Sequence, residues 1–298
     1  MLPLSQFPLE QRRAVRDVFC DIDDTLTTGG RLTAEAYASL ERLSRAGIRV
    51  VPMTGRPAGW CDHIARMWPV AAVVGENGAF YFRYRHDGKA MIRGYSDSAA
   101  ARTANRERLA AIAQEILREV PGCAIAADQA YRETDLAIDW CEDVPPLPRD
   151  AADRIVSLMQ ARGLTAKVSS IHVNGWFGVY DKLTMARRLM REAFGVDLDA
   201  KRDTCVFVGD SPNDAPMFAF FPHSVGVANV RDFADRLTHE PKYVTAANAG
   251  AGFCEVAELL LAPRDELLGR QRCPRLEDDE GFDLFAQPIV GHADHSGQ

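Results

Sequence analysis

None of the seven cysteines belongs to a Cys-x-x-Cys pair; they lie scattered at positions 20, 61, 123, 141, 205, 254 and 273. An odd, dispersed set argues against a disulfide framework and suits a reducing compartment. Residues 1–16 lack the continuous apolar segment of a secretory leader, and no run approaches the length of a membrane span. No stretch is rich in Lys and Arg, and the net charge is -7, so a nucleic-acid footprint is missing. These absences predict a cytoplasmic protein that binds neither nucleic acid nor membrane. No internal repeat is found. The 298 residues, 47% hydrophobic and 26% charged, suit a globular chain of one large domain with an insertion, or two domains.

What is there begins with Val18-Phe19-Cys20-Asp21-Ile22-Asp23-Asp24-Thr25-Leu26-Thr27, an apolar strand-like run that stops at three acids and two hydroxyls. The carboxyl end of a strand in an open α/β sheet is where such sheets bind ligands. A carboxylate there can act as a covalent nucleophile, while a second acid two residues on handles protons. Taken alone, the stretch reads equally as a strand ending in a solvated turn, because Asp and Thr are ordinary turn residues.

The following segments repeat a parallel-sheet rhythm. Thr33 caps a helix over about 34–45, residues 48–53 form a strand closed by Thr54-Gly55-Arg56-Pro57, a helix covers about 58–67, and residues 71–74 make a third strand. The rhythm then changes. Strand-like runs from Ala79 to Tyr95 flank His86-Asp87-Gly88-Lys89, a hairpin signal. Helices over about 101–119 and 150–162 alternate with strands at 123–128, 134–140, 165–169 and 171–180, an α+β unit. Asp181 caps a helix ending before Gly195, and the buried strand 204–208 leads into Gly209-Asp210-Ser211-Pro212-Asn213-Asp214. A helix over 255–261 closes the folded part. Residues 1–16 read as a short polar lead-in, and residues 263–298, with Glu277-Asp278-Asp279-Glu280, as a flexible acidic tail.

Parallel strands deliver their carboxyl ends to one edge, so Asp21 and Asp23, Thr54, and Asp210 with Asp214 converge there. Lys182 arrives at a helix start, where free N–H groups already favour an anion. Two carboxylates about 4 Å apart repel by roughly 4 kcal/mol at an effective dielectric of 20. Asp21, Asp210 and Asp214 therefore share a site only with a dication between them, and hard oxygen donors favour Mg²⁺.

This ordered set resembles the haloacid dehalogenase (HAD) superfamily of phosphohydrolases over residues 17–262. The short interval between Asp21 and Thr54 and the long one between Thr54 and Lys182 resemble a chain with a C2-type cap. Gly75-Glu76-Asn77-Gly78-Ala79 at its entry is similar to subfamily IIB, the group of sucrose-phosphate, mannosyl-3-phosphoglycerate and Cof-type phosphatases. The resemblance implies a Rossmann-like, doubly wound parallel-sheet core (1–80 and 181–262) with an inserted α+β cap (81–180). It implies a Mg²⁺-dependent phosphatase that hydrolyses a small phosphorylated metabolite, a sugar phosphate, through an aspartyl-phosphate.

In this likeness Asp21 is the nucleophile and Asp23 the acid/base, whose backbone carbonyl also meets the metal. Thr54, Gly55, Lys182 and Asn213 bind phosphate, and Asp210 and Asp214 serve the metal. Asp24 stands where many relatives have Gly, and Leu183 follows Lys182 where the subfamily often has Gly. A phosphosugar mutase of the same superfamily and a non-catalytic sugar-phosphate-binding protein are the alternatives.

The remaining candidates are weaker. Ser170, His172 and Asn174 alternate with Ile171 and Val173, so a polar face of the cap sheet meets either solvent or the substrate. Trp176 is a candidate to stack on a sugar ring. Asp139 and Trp140 read as substrate contributors or, more often, plain sheet residues, and Arg56 as a substrate contact or a surface ion pair. Glu76 and Asn77 read as hinge or ligand groups. His292 and His295 form a lone His-x-x-His of solvated character.

Overall fold

The computed structural model describes residues 1–169 and 171–271, with side chains described as far as residue 262. Strand β1 (Leu2–Pro3) and helix α1 (Leu9–Ala14) precede strand β2 (Asp17–Cys20). A small hairpin of β3 (Thr27–Thr28) and β4 (Arg31–Leu32) follows the acidic loop, then α2 (Ala34–Arg45), β5 (Arg49–Pro52), α3 (Ala58–Met67) and β6 (Val73–Gly75). Next come β7 (Phe80–Arg85), β8 (Ala90–Tyr95), α4 (Ala99–Glu119), β9 (Ala124–Ile125), β10 (Leu136–Asp139), α5 (Arg149–Ala161), β11 (Thr165–Val168) and β12 (His172–Trp176). The chain returns through α6 (Lys182–Phe194), α7 (Leu198–Lys201), β13 (Cys205–Gly209), α8 (Ala215–Phe220), β14 (Ser224–Gly226), β15 (Tyr243–Val244) and α9 (Ala249–Gln271).

Six strands pair in the order β1-β15-β14-β13-β2-β5, every pair parallel. Strands β2 and β13 are buried along their whole length, which is why they read as unbroken apolar runs rather than alternating ones. Helices flank the sheet. In α2, Thr33 Oγ1 accepts from Ala36 N at 3.2 Å, and the buried residues Ala36, Leu40 and Leu43 recur at helical spacing.

The lead-in differs from the sequence reading. Phe7 is buried and stacks on Tyr243, ring centroids 4.9 Å apart, while β1 adds to the sheet edge beside β15. A two-residue strand and one short helix are too brief to show a period, and their partner strand lies at the far end of the chain. The third expected strand also behaves differently. It meets β5 through the single parallel bridge Met53–Val74 and then pairs antiparallel with β7.

The hairpin of β7 and β8 packs with the parallel domain, Phe80 and Phe82 joining the apolar cluster that contains Val18 and Cys20. The four-stranded antiparallel sheet, β11-β12-β10-β9, has a separate cluster in which Ile116, Ile138, Ile155, Met159 and Val173 are fully buried. Helices α4 and α5 supply one side of that cluster, leaving the other face of this cap sheet to the parallel domain. Its strands are shorter than the sequence suggests; β12 ends at Trp176, ahead of Gly178 at positive φ.

Helix α9 continues past Leu261 to Gln271 and packs against α2. Residues 272–298, with the acidic run, His292 and His295, lie outside the described residues, as does Ser170. Among the described residues no helix is long and apolar enough to cross a membrane.

Candidate active site

Register places the acids. Val208 of β13 pairs with Cys20 of β2, and Cys20 pairs with Pro52 of β5, so Asp21, Asp210 and the Thr54 turn leave the sheet side by side. Asp21 N donates to Val208 O at 2.9 Å and Met53 N to Cys20 O at 2.8 Å, which carries the ladder up to the site. The chain then turns sharply. The amides of Thr25, Leu26 and Thr27 all donate to Ile22 O, and Asp24 sits at φ 56°. That left-handed conformation is the one glycine adopts most readily. Asp is among the few other residues that adopt it at modest cost.

Oxygens of Asp21, Asp210 and Asp214 lie within 4.8 Å of one another, all three residues buried. Lys182 Nζ donates to Asp21 Oδ1 at 2.5 Å and to Asp214 Oδ1 at 3.0 Å. Asp214 Oδ2 accepts from Asp210 N at 3.2 Å. A Cβ on Gly209 would stand 2.5 Å from that same oxygen, so only glycine lets Asp214 come this close. Thr25 Oγ1 donates to Asp210 Oδ1 at 3.1 Å, and Asn229 Nδ2 reaches Asp210 Oδ2 at 3.4 Å and Asp24 O at 3.1 Å.

One ammonium among three buried carboxylates leaves negative charge uncompensated. Burial raises the Asp21 carboxyl, and the charges of Asp214 and Asp23 add to this against the pull of Lys182, taking it to about 7. Burial and then the Asp21 and Asp214 charges push Asp210 up as well. Burial alone would lower Lys182, but the two carboxylates outweigh it and hold the ammonium charged. The donor set is all carboxylate oxygen, which fits a small hard dication.

A cavity of about 730 Å³ opens above this cluster, lined by Asp21, Asp23, Gly55, Arg56, Asn77, Asp210 and Asn213 from the parallel domain, and by Trp140, His172 and Asn174 from the cap sheet. Residues 18–110 match the family model of haloacid dehalogenase-like hydrolases. The match covers about a third of the chain, the part that carries Asp21, Asp23 and Thr54.

Solved structures of similar fold extend the likeness across the cap. A Thermoplasma acidophilum protein is 19% identical with a TM-score of 0.63, over 82% of this chain and 99% of that one. A Plasmodium vivax HAD/Cof-like hydrolase is 18% identical with a TM-score of 0.60, over 86% of this chain and 97% of that one. The sucrose-phosphatase of Synechocystis, solved with sucrose and phosphate, is 14% identical with a TM-score of 0.57, over 83% of this chain and 98% of that one. At such identities the likeness is one of fold. No curated protein matches the sequence.

Within this site the phosphate-binding candidates divide. Gly55 and Asn213 line the cavity. Thr54 is fully buried, its Oγ1 accepting from Arg56 N at 2.9 Å, so it shapes the turn. Lys182 is engaged by two carboxylates below the cavity. Asn77, at φ 57°, lines the cavity. Its neighbour Glu76 points the other way, fully buried. Glu76 Oε1 accepts from Ala58 N and Glu133 N, and Oε2 from Thr134 N, Thr134 Oγ1 and Asp135 N. It therefore ties the core helix α3 to the cap loop.

On the cap, Val173 belongs to the helix-backed cluster. The alternation of the strand thus turns His172 and Asn174 toward the cavity. Asn174 Nδ2 donates to Asp135 Oδ2 at 2.9 Å. Burial, then the Arg132 charge, lowers the His172 pKa, leaving the imidazole neutral. Trp176 does not reach the cavity; it is fully buried and stacks on Tyr180, centroids 5.5 Å apart. Its side chain lies on the opposite strand end, where the cap rejoins the apolar core.

Sequence reasoning passed over Thr25, Arg132, Asp135, Glu142 and Asn229. Thr25 stands inside the acidic motif and could have been found there. Arg132 donates to Gly55 O at 2.9 Å and to Asp128 and Asp135, a bridge from cap to phosphate turn that no local pattern marks.

Proposed function

We propose that this protein is a haloacid dehalogenase-like hydrolase, a Mg²⁺-dependent phosphatase acting on a small phosphorylated metabolite, a sugar phosphate, with Asp21 as the nucleophile. The observation that carries the reading is Asp21 held by Lys182 at the floor of a cavity whose cap wall presents His172 and Asn174. The Synechocystis neighbour binds sucrose and phosphate, which supports a hydroxylated leaving group. Scattered free thiols support a cytoplasmic setting.

In this mechanism an Asp21 carboxylate oxygen attacks phosphorus. The bond from phosphorus to the leaving oxygen breaks as Asp23 delivers a proton to that oxygen. A water then gives a proton to Asp23 and attacks phosphorus, and the bond to Asp21 breaks, releasing inorganic phosphate. Lys182 favours the ionised form of Asp21 against the effect of burial, and Asp214 holds both Lys182 and the Asp210 loop in place. Asp21, Asp210 and the carbonyl of Asp23 would hold Mg²⁺, with Asp214 beside them. Bound there, the ion supplies charge neutralisation for the carboxylates and for the phosphoryl oxygens. Gly55, Asn77 and Asn213 border the phosphoryl group, and Arg56, His172 and Asn174 face the leaving group.

The test is inorganic phosphate release from a panel of sugar phosphates and phosphoglycerates, with and without Mg²⁺. Mg²⁺-dependent release that favours one compound supports the reading. A folded, metal-supplied protein that releases none overturns it, and phosphoryl return to a sugar would make it a mutase.

A further inference from the structure

We propose that Glu142 is a positioning residue that links the cap to Asp23 through Arg56, so that the acid/base is oriented only while the cap is shut. The inference rests on the phosphatase reading above. Arg56 is 8% exposed. Its Nε donates to both oxygens of Asp23, at 3.1 and 3.2 Å. Its Nη2 is shared, 3.0 Å from Asp23 Oδ1 in the parallel domain and 3.3 Å from Glu142 Oε1 in the cap. Nη1 lies 3.3 Å from the same Glu142 oxygen. Because one nitrogen serves both acids, the pull of Glu142 fixes the angle at which the guanidinium meets Asp23.

The loop that carries Glu142 is built for this. Asp139, 1% exposed, accepts from the amides of Cys141, Glu142 and Asp143 at 2.8–2.9 Å, so the loop moves with the cap sheet. The other Glu142 oxygen, Oε2, lies 2.8 Å from Nε2 of His172. His172 lines the cavity wall, so a leaving-group hydroxyl that engages this wall sits next to Glu142. The remaining acid near Arg56, Asp128 at 3.9 Å, is already held by Arg132. Opening the cap therefore removes Glu142 and leaves Asp23 as the close partner of Arg56. The near-complete burial of Arg56 makes the loss of one partner matter more than at a surface pair.

The experiment compares wild type, Glu142→Gln, Glu142→Ala, Arg56→Ala and the Glu142→Ala/Arg56→Ala double variant. With the preferred substrate, Glu142→Ala is expected to lower kcat by about tenfold to a hundredfold with KM changed less than about threefold, the size of effect that misplacing a catalytic group produces. Glu142→Gln, which keeps an oxygen acceptor, falls between it and wild type. In the double variant the Glu142 loss should vanish, because Arg56 transmits it. An unchanged kcat in Glu142→Ala, or losses that multiply in the double variant, overturns the proposal. Amide hydrogen exchange gives a readout independent of turnover. Glu142→Ala should speed exchange at residues 55–58, and unchanged exchange there overturns the link even if wild type proves to release no phosphate.

Discussion

The ammonium of Lys182 lies 2.5 Å from Oδ1 of Asp21, closer than to its other carboxylate partner, Asp214, at 3.0 Å. The contact spans most of the chain and sits at about 5% exposure on both sides. It makes the proposed nucleophile half of a buried ion pair, so chemistry and stability are coupled at this point. Lys182→Met is expected to lower kcat at least a hundredfold and to destabilise the fold by about 3 kcal/mol, since it strands two buried carboxylates. Phosphate release and urea denaturation check the two halves.

Asp21→Asn is expected to abolish turnover and leave the fold intact, because the amide fills the same space without a desolvated charge. Near-normal phosphate release from a folded Asp21→Asn protein would remove Asp21 from the nucleophile role.

Asp210→Asn removes a carboxylate from the triad while the Thr25 and Asn229 contacts can persist. The Mg²⁺ concentration for half-maximal activity is expected to rise about tenfold or more, the cost of losing a charged ligand. A Mg²⁺ titration that superimposes on wild type would reject Asp210 as a ligand.

Burial, then the Asp135 charge, raises Glu76 from 4.5 to about 7, against the pull of the Thr134 hydroxyl, Arg132 and the Glu133 amide. A carboxyl raised in the folded state favours folding most below its ordinary value, and that contribution fades as pH rises through the folded pKa. Folding stability is therefore expected to fall by about 3 kcal/mol between pH 4.5 and 7 from this group. Glu76→Gln should flatten that slope in urea melts recorded across this window. An identical slope would show that another group carries it.

His172→Ala and Asn174→Ala are expected to raise KM for the preferred sugar phosphate at least fivefold, about 1 kcal/mol of lost binding, with a smaller fall in kcat. Equal loss in kcat and kcat/KM would instead place these side chains in the transition state alone.

The acids and the fold were legible in the amino-acid order because their signals are local. Val18 to Cys20 and Cys205 to Val208 are apolar runs that stop at Asp, and parallel strands send such ends to one edge whatever the rest of the chain does. Alternation about Val173 made His172 and Asn174 candidates, although their facing was open until helices α4 and α5 covered the opposite side. Leu2, Leu4 and Phe7 escaped notice because so short a segment has no period, and its partners are Tyr243 and Val244. Trp176 looked like a ligand platform and is a core residue, since a strand end beside the domain junction packs on whatever the junction brings.

What the sequence by itself determined is which strand ends carry acids and hydroxyls and which residue types they are. Tertiary structure alone decided which of those groups touch. Lys182 is spent on Asp21 and Asp214, Thr54 on its own turn, and Glu142 reaches Arg56 across the domain boundary. A strand or a capped helix announces itself within a few residues, because its hydrogen bonds are local or repeat with a fixed period. A contact between a single loop acid and a single arginine has no period, and its existence depends on how two separately packed bodies meet.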